Sequence, residues 1–208
     1  MLIETRDLKF RDLISYPNLK IESGQVTFLC GESGCGKSTF LKLINGSVSP
    51  SDGKLLIKGI DAADLDTIEL RRKYLLVSQT VFLFEETIRR NFEEFYRYRE
   101  LPILNDAEKR SFLQLCCADF PLETFCPSMS GGERQRIFLA ICLSFKPEVL
   151  MLDEPTSALD PATAGQLMEN LASYCRSKGI SMIVVSHDHS LAERFADRVI
   201  ELKGGTGS

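Results

Sequence analysis

The segment Gly31-Glu32-Ser33-Gly34-Cys35-Gly36-Lys37-Ser38 decides the fold of this chain of 208 residues. It matches the pattern G-x-x-x-x-G-K-[ST], follows the strand-like run 25–30, and precedes a helical pattern over about 37–44. Glycines let backbone N–H groups curl around a phosphate, which side chains would obstruct. We therefore predict that residues 31–39, ending at Thr39, bind a nucleotide. Lys37 would reach the β- and γ-phosphates, and the Ser38 hydroxyl would bind Mg²⁺.

The composition is ordinary for a globular protein, with 44% hydrophobic and 26% charged residues. The net charge of −4 leaves no basic surplus for phosphate backbones, so we expect no nucleic-acid partner. No apolar run approaches the roughly 20 residues that span a bilayer, and the N-terminus lacks a signal pattern. We therefore expect an intracellular chain that does not itself cross the membrane.

The seven cysteines have no CxxC or Cys/His metal spacing, which favours reduced, buried thiols. A soft-metal site at Cys116, Cys117 and Cys126 is the less favoured alternative. Cys35 lies in the glycine loop at a helix N-terminus, where a thiolate is stabilised. We hypothesise that oxidising or alkylating Cys35 blocks nucleotide binding, against the alternative that it is merely a small residue tolerated there.

Strand-like runs alternate with helical patterns, which indicates an α/β fold with a mainly parallel sheet covered by helices. Further strands are predicted at 54–58, 74–77, 149–152 and 180–185. The middle segment of the chain, about 87–125, has a helical pattern, which predicts an inserted helical lobe. Its last long helix, about 132–145, is opened by Ser130. The glycine-rich tail 204–208 is expected to be flexible.

An acidic pair follows a buried strand in Leu150-Met151-Leu152-Asp153-Glu154. Such a strand delivers its last residues to the edge of the sheet where phosphate and Mg²⁺ should lie. We expect Asp153 to hold the metal through water, and Glu154 to polarise an attacking water.

A second anion-binding helix start is predicted at Ser130-Gly131-Gly132-Glu133, where backbone N–H groups would be exposed. Two such starts in one chain indicate a nucleotide clamped from two sides, between two copies of the chain.

With these motifs in order, essentially the whole chain resembles the ATP-binding subunit of an ABC transporter. Met129 to Glu133 resembles the family signature Leu-Ser-Gly-Gly-Gln, with Met for Leu and Glu for Gln. Gln79 matches the Q-loop glutamine, which contacts Mg²⁺ and the attacking water and faces the membrane partner. Ser157-Ala158-Leu159-Asp160 matches the D-loop, so Asp160 joins the nucleotide-binding set. His187 matches the switch histidine at the γ-phosphate.

The resemblance implies a P-loop NTPase core with a mainly parallel sheet, an N-terminal antiparallel β portion and an inserted α-helical subdomain. It implies one ATPase domain over 1–208, with a core at 1–80 and 146–203 and a helical subdomain at 81–145. ATP and Mg²⁺ would be bound, with Glu154, His187 and Gln79 catalytic and with Ser38, Gln79 and Asp153 at the metal.

The implied partners are a separately encoded transmembrane permease and a second cassette, in a homodimer or a heterodimer. The implied place is the cytoplasm, peripheral on the inner face of the cell membrane. The pattern Leu83-Phe84-x-x-Thr87-Ile88-x-x-Asn91 resembles exporter cassettes, including small stand-alone ones for metal or iron. Phe82 and Phe84 could equally fill the core of the helical lobe, so direction and substrate stay open.

One position departs from the family pattern, and two other functions compete with the transporter. The family usually places an adenine-stacking aromatic residue where this chain has Asp12, which leaves Tyr16 as the candidate for stacking. The main rival function is a soluble ABC-type ATPase in DNA repair or translation, although the chain has neither a tandem cassette nor a coiled-coil insertion. A non-hydrolytic nucleotide sensor is a third class, which would require the loss of Glu154 or His187.

Overall fold

A computed structural model describes residues 1–11 and 13–203; Asp12 and the tail 204–208 lie outside the described residues. The strands are β1 Ile3–Phe10, β2 Ile14–Ser15, β3 Lys20–Ile21, β4 Val26–Cys30, β5 Asp52–Ile57, β6 Ile60–Asp61, β7 Tyr74–Val77, β8 Val149–Asp153, β9 Ser181–Val185 and β10 Arg198–Glu201. The helices are α1 Lys37–Ile44, α2 Thr67–Lys73, α3 Ile88–Tyr98, α4 Asp106–Leu115, α5 Gly131–Ser144, α6 Pro161–Lys178 and α7 His189–Phe195.

The central sheet is entirely parallel, in the order β10-β4-β9-β8-β7. Strands β4, β8 and β9 are buried at every position, because helices cover both faces of such a sheet. Their register pairs Asp153 with Val185, and Val185 with Leu29. Since parallel strands end at the same edge, the residues that follow β4, β8 and β9 are brought together there.

The second sheet is antiparallel, in the order β2-β1-β5-β6, with β3 also pairing with β1. Helix α1 packs between the two sheets, because Phe40 and Leu41 share one apolar cluster with Ile3 of β1 and Met151 of β8. The predicted α/β class, with a parallel core and an N-terminal antiparallel part, is confirmed.

The predicted helical middle contains α3 and α4, and α5 follows it. The helices share a second apolar cluster in which Phe92, Leu113 and Ile137 are buried. Cys116 and Cys126 lie in the same cluster, and the described residues contain no group of three or more His, Cys, Asp or Glu side chains that could hold a metal. The division into subdomains at 80/81 and 145/146 stays a prediction.

Candidate functional site

The glycine loop connects β4 to α1 and depends on backbone shapes that glycine adopts easily. Gly31, Gly34 and Gly36 have φ angles of 142°, 80° and 97°. A Cβ atom at Gly31 would lie 2.2 Å from the carbonyl oxygen of Leu202, closer than any real contact allows. The loop therefore passes directly against the end of β10, and position 31 has no room for a side chain.

Lys37 is the first residue of α1, and its side chain is buried within the loop. Its Nζ donates to the carbonyl oxygens of Gly31 and Glu32, each at 2.8 Å. Within residues 1–11 and 13–203, no carboxylate forms an ion pair with this ammonium group. A buried cation without a counter-charge suits the phosphates of a bound nucleotide.

Ser38 and Asp153 meet although they are far apart in sequence. The Ser38 hydroxyl donates to Asp153 Oδ1 at 2.9 Å, because β8 ends beside the start of α1. A hydroxyl and a carboxylate are hard oxygen donors of the kind that Mg²⁺ prefers. The residues present therefore fit a magnesium ion beside the phosphates.

Glu154 follows β8 with a φ angle of 53°, in the left-handed region that a residue with a side chain adopts rarely. Its Oε1 lies 3.3 Å from His187 Nε2, a contact close enough for an ion pair but not aligned as a hydrogen bond. Burial raises the pKa of the Glu154 carboxyl, and the charge of His187 opposes that rise. A carboxylate in such a setting suits a general base.

These side chains surround one cleft of about 450 Å³. Its lining residues are Ile14, Ser33, Gly34, Gly36, Lys37, Ser38, Thr39, Gln79, Asp153, Glu154, Ser157, Val185 and His187. The structure thus brings together the glycine loop, the acidic pair, Gln79 and His187. Ile14 is an addition that no sequence signal marked, because its approach depends on how β2 folds back. Ser157 begins the predicted D-loop segment, from which only Asp160 was assigned to the nucleotide.

Three predicted residues of the glycine loop lie outside this lining. Gly31 lies at the base of the loop, and Glu32 is exposed. Cys35 is buried, with its sulfur 3.9 Å from Lys37 Nζ, so the thiol lies under the loop. The proposed chemical sensitivity of Cys35 stays a prediction, and a reagent would have to open the loop to reach it.

The signature residues also lie outside the cleft lining and form the beginning of α5. Ser130 and Glu133 make a reciprocal capping box. The Glu133 carboxylate accepts from the backbone N–H and hydroxyl of Ser130, each at 2.8 Å. Gly131 has open space around its Cα, whereas Gly132 packs against the D-loop. Asp160 caps α6 by accepting from the backbone N–H groups of Ala162 and Thr163. In a single chain, therefore, these residues organise helix ends, and their contact with nucleotide stays a prediction.

The interpretation of Tyr16 as an adenine-stacking residue is wrong. Its side chain is only 5% exposed, and its hydroxyl donates to the carbonyl oxygen of Gly36 at 3.0 Å. The ring packs on Phe40 below the loop, where no base could reach it. Asp12, which occupies the position expected for an aromatic residue, lies outside the described residues. Ile14 is the apolar side chain of this segment that borders the cleft.

A family model described as "ABC transporter" matches residues 14–157. The chain belongs to the ABC transporter family. The match includes the glycine loop, the signature and the acidic pair of the cleft. As the cassette of this family, the chain is an ABC-type ATPase.

Related ABC proteins agree with this assignment. The chain is 37% identical over 201 residues to the phosphonates import ATP-binding protein PhnC 2 of Synechococcus sp., covering 90% of this chain and 74% of that protein. It is 36% identical over 191 residues to the choline transport ATP-binding protein OpuBA of Bacillus subtilis, covering 90% of this chain and 50% of that protein.

The fold also matches a solved ABC cassette. The dimeric structure of MJ0796, a bacterial ABC transporter cassette, has a TM-score of 0.84 at 26% identity, covering 98% of this chain and 95% of that one. A post-hydrolysis dimer of MJ0796 bound to ADP and Pi has a TM-score of 0.81 at 27% identity, covering 98% and 95% of the two chains. ATP binding by this ABC cassette is thereby supported. Among the described residues, no helix is long and apolar enough to cross a bilayer.

Proposed function

We propose that this chain is the ATP-hydrolysing subunit of an ABC transporter and drives a separately encoded membrane subunit. The observation that carries the proposal is the convergence of Lys37, Ser38, Asp153, Glu154 and His187 on one cleft. A buried cation for phosphate, oxygen ligands for a metal and a partly buried carboxylate are the parts that phosphoryl transfer to water needs.

In the proposed reaction, Lys37 binds the β- and γ-phosphates. Ser38, Gln79 and, through water, Asp153 are the residues that would hold Mg²⁺. Bound there, the ion would neutralise charge on the phosphate oxygens. The Glu154 carboxylate accepts a proton from a water molecule as the water oxygen bonds to the γ-phosphorus. The bond from that phosphorus to the bridging oxygen breaks, which leaves ADP and phosphate, while His187 orients the γ-phosphate.

We propose that two chains associate head to tail when ATP is bound. The support is that Ser130 lies outside the lining of its own cleft, while the backbone N–H groups at the start of α5 suit an anion. Two dimeric cassette structures share this fold. Each chain would then complete the site of the other, and either a second copy or another cassette could be the partner.

We propose that the membrane subunit docks on an aromatic surface patch formed by Phe82, Phe84, Phe95, Tyr98 and Phe138. Each of these rings has its centroid within 6.5 Å of another ring in the patch. Phe82 and Tyr98 are 61% and 74% exposed. The patch begins three residues after Gln79, so a partner bound there would be close to the ATP cleft.

An apolar segment of a membrane protein fits this patch, because exposed clustered aromatic rings mark interaction sites. The chain would then lie on the inner face of the cell membrane. Export, including that of a metal or iron, is only one interpretation of the pattern that ends at Asn91, and direction and substrate stay open. Several relatives are import proteins for different substrates, including phosphonates and phosphate, so we propose no cargo.

Replacing Glu154 with glutamine tests the catalytic part of this proposal. Glu154→Gln should bind ATP with about unchanged affinity, lose hydrolysis by at least roughly 100-fold, and accumulate as an ATP-bound dimer. ATPase assays, nucleotide titration and size-exclusion chromatography measure these three properties. Wild-type hydrolysis in this variant would refute the role of Glu154.

Co-purification tests the partner. Affinity capture from detergent-solubilised membranes should recover a multi-spanning protein with the wild-type chain, and a Phe82→Glu, Tyr98→Glu double variant should lose it. A matched Ile60→Glu, Ile68→Glu double variant, at side chains that are 53% and 61% exposed and lie outside the patch, should retain it. Recovery of the chain with ribosomes or DNA instead would favour the soluble ATPase.

A further inference from the structure

Gln135 connects the signature helix to the proposed catalytic carboxylate. It lies on α5, is 6% exposed, and its Nε2 donates to the carbonyl oxygen of Glu154 at 3.3 Å. Gln135 does not line the ATP cleft. A buried side-chain amide that donates to backbone far along the chain fixes that backbone relative to the helix.

The backbone that Gln135 contacts is the strained one. Glu154 has a φ angle of 53°, which costs a non-glycine residue about 1 kcal/mol or more and persists only where surrounding contacts hold it. Its carbonyl oxygen also accepts from the Ser157 hydroxyl at 3.1 Å, and its N–H donates to the carbonyl of Val185 at 3.0 Å. Since φ sets the direction of the Cα–Cβ bond, these contacts determine where the carboxylate lies.

Helix α5 contacts the loop that follows β8 at a second point. A Cβ atom at Gly132 would lie 3.0 Å from the carbonyl oxygen of Ala158 and 3.4 Å from Leu159 Cδ2. The first turn of α5 is therefore packed tightly against the loop that begins at Glu154. A displacement at the start of the helix would be transmitted to this loop, because close-packed contacts are stiff.

We propose that Gln135 is a positioning residue that holds the Glu154 backbone in its left-handed conformation and so ties the catalytic carboxylate to the signature helix. This inference rests on the proposed function, in which Glu154 acts on water and Ser130 engages nucleotide in the partner's site. A chain whose Ser130 binds the partner's nucleotide would thereby align Glu154 in its own cleft, so the two ATP sites of a dimer would be coupled.

The test replaces Gln135 with methionine, which keeps the length of the side chain but cannot donate. Because small misplacements of a reacting group cost large factors in rate, kcat of the purified chain should fall by roughly 10- to 100-fold. KM for ATP should stay within about twofold, since Gln135 does not line the cleft. Gln135→Asn, which is too short to reach the carbonyl, should behave in the same way and serves if the methionine variant does not fold.

The matched control is Ser144→Ala at the other end of the same helix. Ser144 is buried, donates to the carbonyl of Ile141 and accepts from the Tyr96 hydroxyl, so its loss should lower stability like a Gln135 variant. It should leave kcat per folded molecule unchanged. If Gln135→Met and Ser144→Ala both lower the melting temperature and neither changes kcat, Gln135 is merely structural and the proposal is wrong.

A double-mutant cycle separates this inference from the function on which it rests. Residues that act through one another give non-additive effects, so Gln135→Met should cause no further loss in the Glu154→Gln background. A further 10-fold loss there would overturn the positioning role. Wild-type activity of Glu154→Gln alone would instead refute the proposed function, whatever Gln135 does.

Discussion

Replacing Tyr16 with phenylalanine removes one hydroxyl group and tests what this residue does below the glycine loop. The ring stays, so its packing on Phe40, with centroids 5.2 Å apart, is kept. The hydroxyl lost is the donor to the carbonyl oxygen of Gly36 at 3.0 Å. Burial raises the pKa of this phenol, so the hydroxyl is protonated and able to donate throughout the neutral range.

The expected loss of stability depends on which hydrogen bonds the Gly36 carbonyl oxygen keeps in the Tyr16→Phe variant. This oxygen also accepts from the backbone N–H of Phe40 at 2.8 Å, so the substitution does not leave it without a partner. The cost is therefore that of one net hydrogen bond, about 1 kcal/mol in the free energy of unfolding. If nucleotide binding requires the loop conformation that this bond stabilises, up to the whole of that free energy would be lost from binding. The Kd for nucleotide would then rise at most about fivefold, equally for ATP and GTP.

Denaturant unfolding and nucleotide titration measure both quantities. Tyr98→Phe is the matched control, because the Tyr98 side chain is exposed and its hydroxyl has no hydrogen bond within residues 1–11 and 13–203. The same stability for Tyr16→Phe and Tyr98→Phe would refute the supporting role of the hydroxyl. Weaker binding of ATP with unchanged binding of GTP would instead revive a contact with the base.

Three further predictions concern stability and thiol chemistry. Gly31→Ala should lower the free energy of unfolding by at least about 2 kcal/mol in thermal denaturation, because its Cβ would lie 2.2 Å from a carbonyl oxygen, whereas Gly131→Ala meets nothing within 4 Å and should not. Asn91→Leu should cost roughly 2–4 kcal/mol by the same measurement, because the amide binds four backbone groups of the segment 84–87; equal stability would contradict this. Burial raises the pKa of Cys142 and Cys175 to about 12. At pH 8 each thiol should therefore react with a thiol reagent about a thousandfold more slowly in the folded than in the unfolded chain. Rapid labelling of the folded chain would be inconsistent with this prediction.

The sequence predicted best those elements whose signals are local. Helix α1 and strand β7 have the predicted bounds, because a glycine loop begins one and a short apolar run defines the other. The predicted strand 54–58 begins two residues earlier in the structure, at Asp52. Gly53 has a positive φ there, and a Cβ atom at this position would lie 2.2 Å from the carbonyl oxygen of Asp7, a close approach that a propensity argument does not foresee.

The roles of Tyr16 and Gln135 could not be predicted from the sequence, for a different reason. Each acts through a hydrogen bond to backbone, of Gly36 and of Glu154, about 20 residues away in the chain. A hydrogen bond to a backbone oxygen produces no sequence pattern. From the sequence alone, a tyrosine near the N-terminus could therefore stack on adenine or support the glycine loop. The S-x-x-E spacing of Ser130 and Glu133 did carry a local signal, that of a capping box.

The capping box bears on how the proposed clamp would open and close. On the glycine-loop side, Lys37 offers a buried cation without a carboxylate partner in the described chain. On the signature side, the backbone N–H of Ser130, together with its hydroxyl, lowers the pKa of Glu133, so that carboxylate stays charged at the helix start that would meet phosphate. Phosphate is thus attracted strongly by one face and more weakly by the other. When the proposed dimer opens, the nucleotide would therefore stay bound to the glycine loop and dissociate from the signature segment of the partner. A clamp that opens and closes reversibly requires this order.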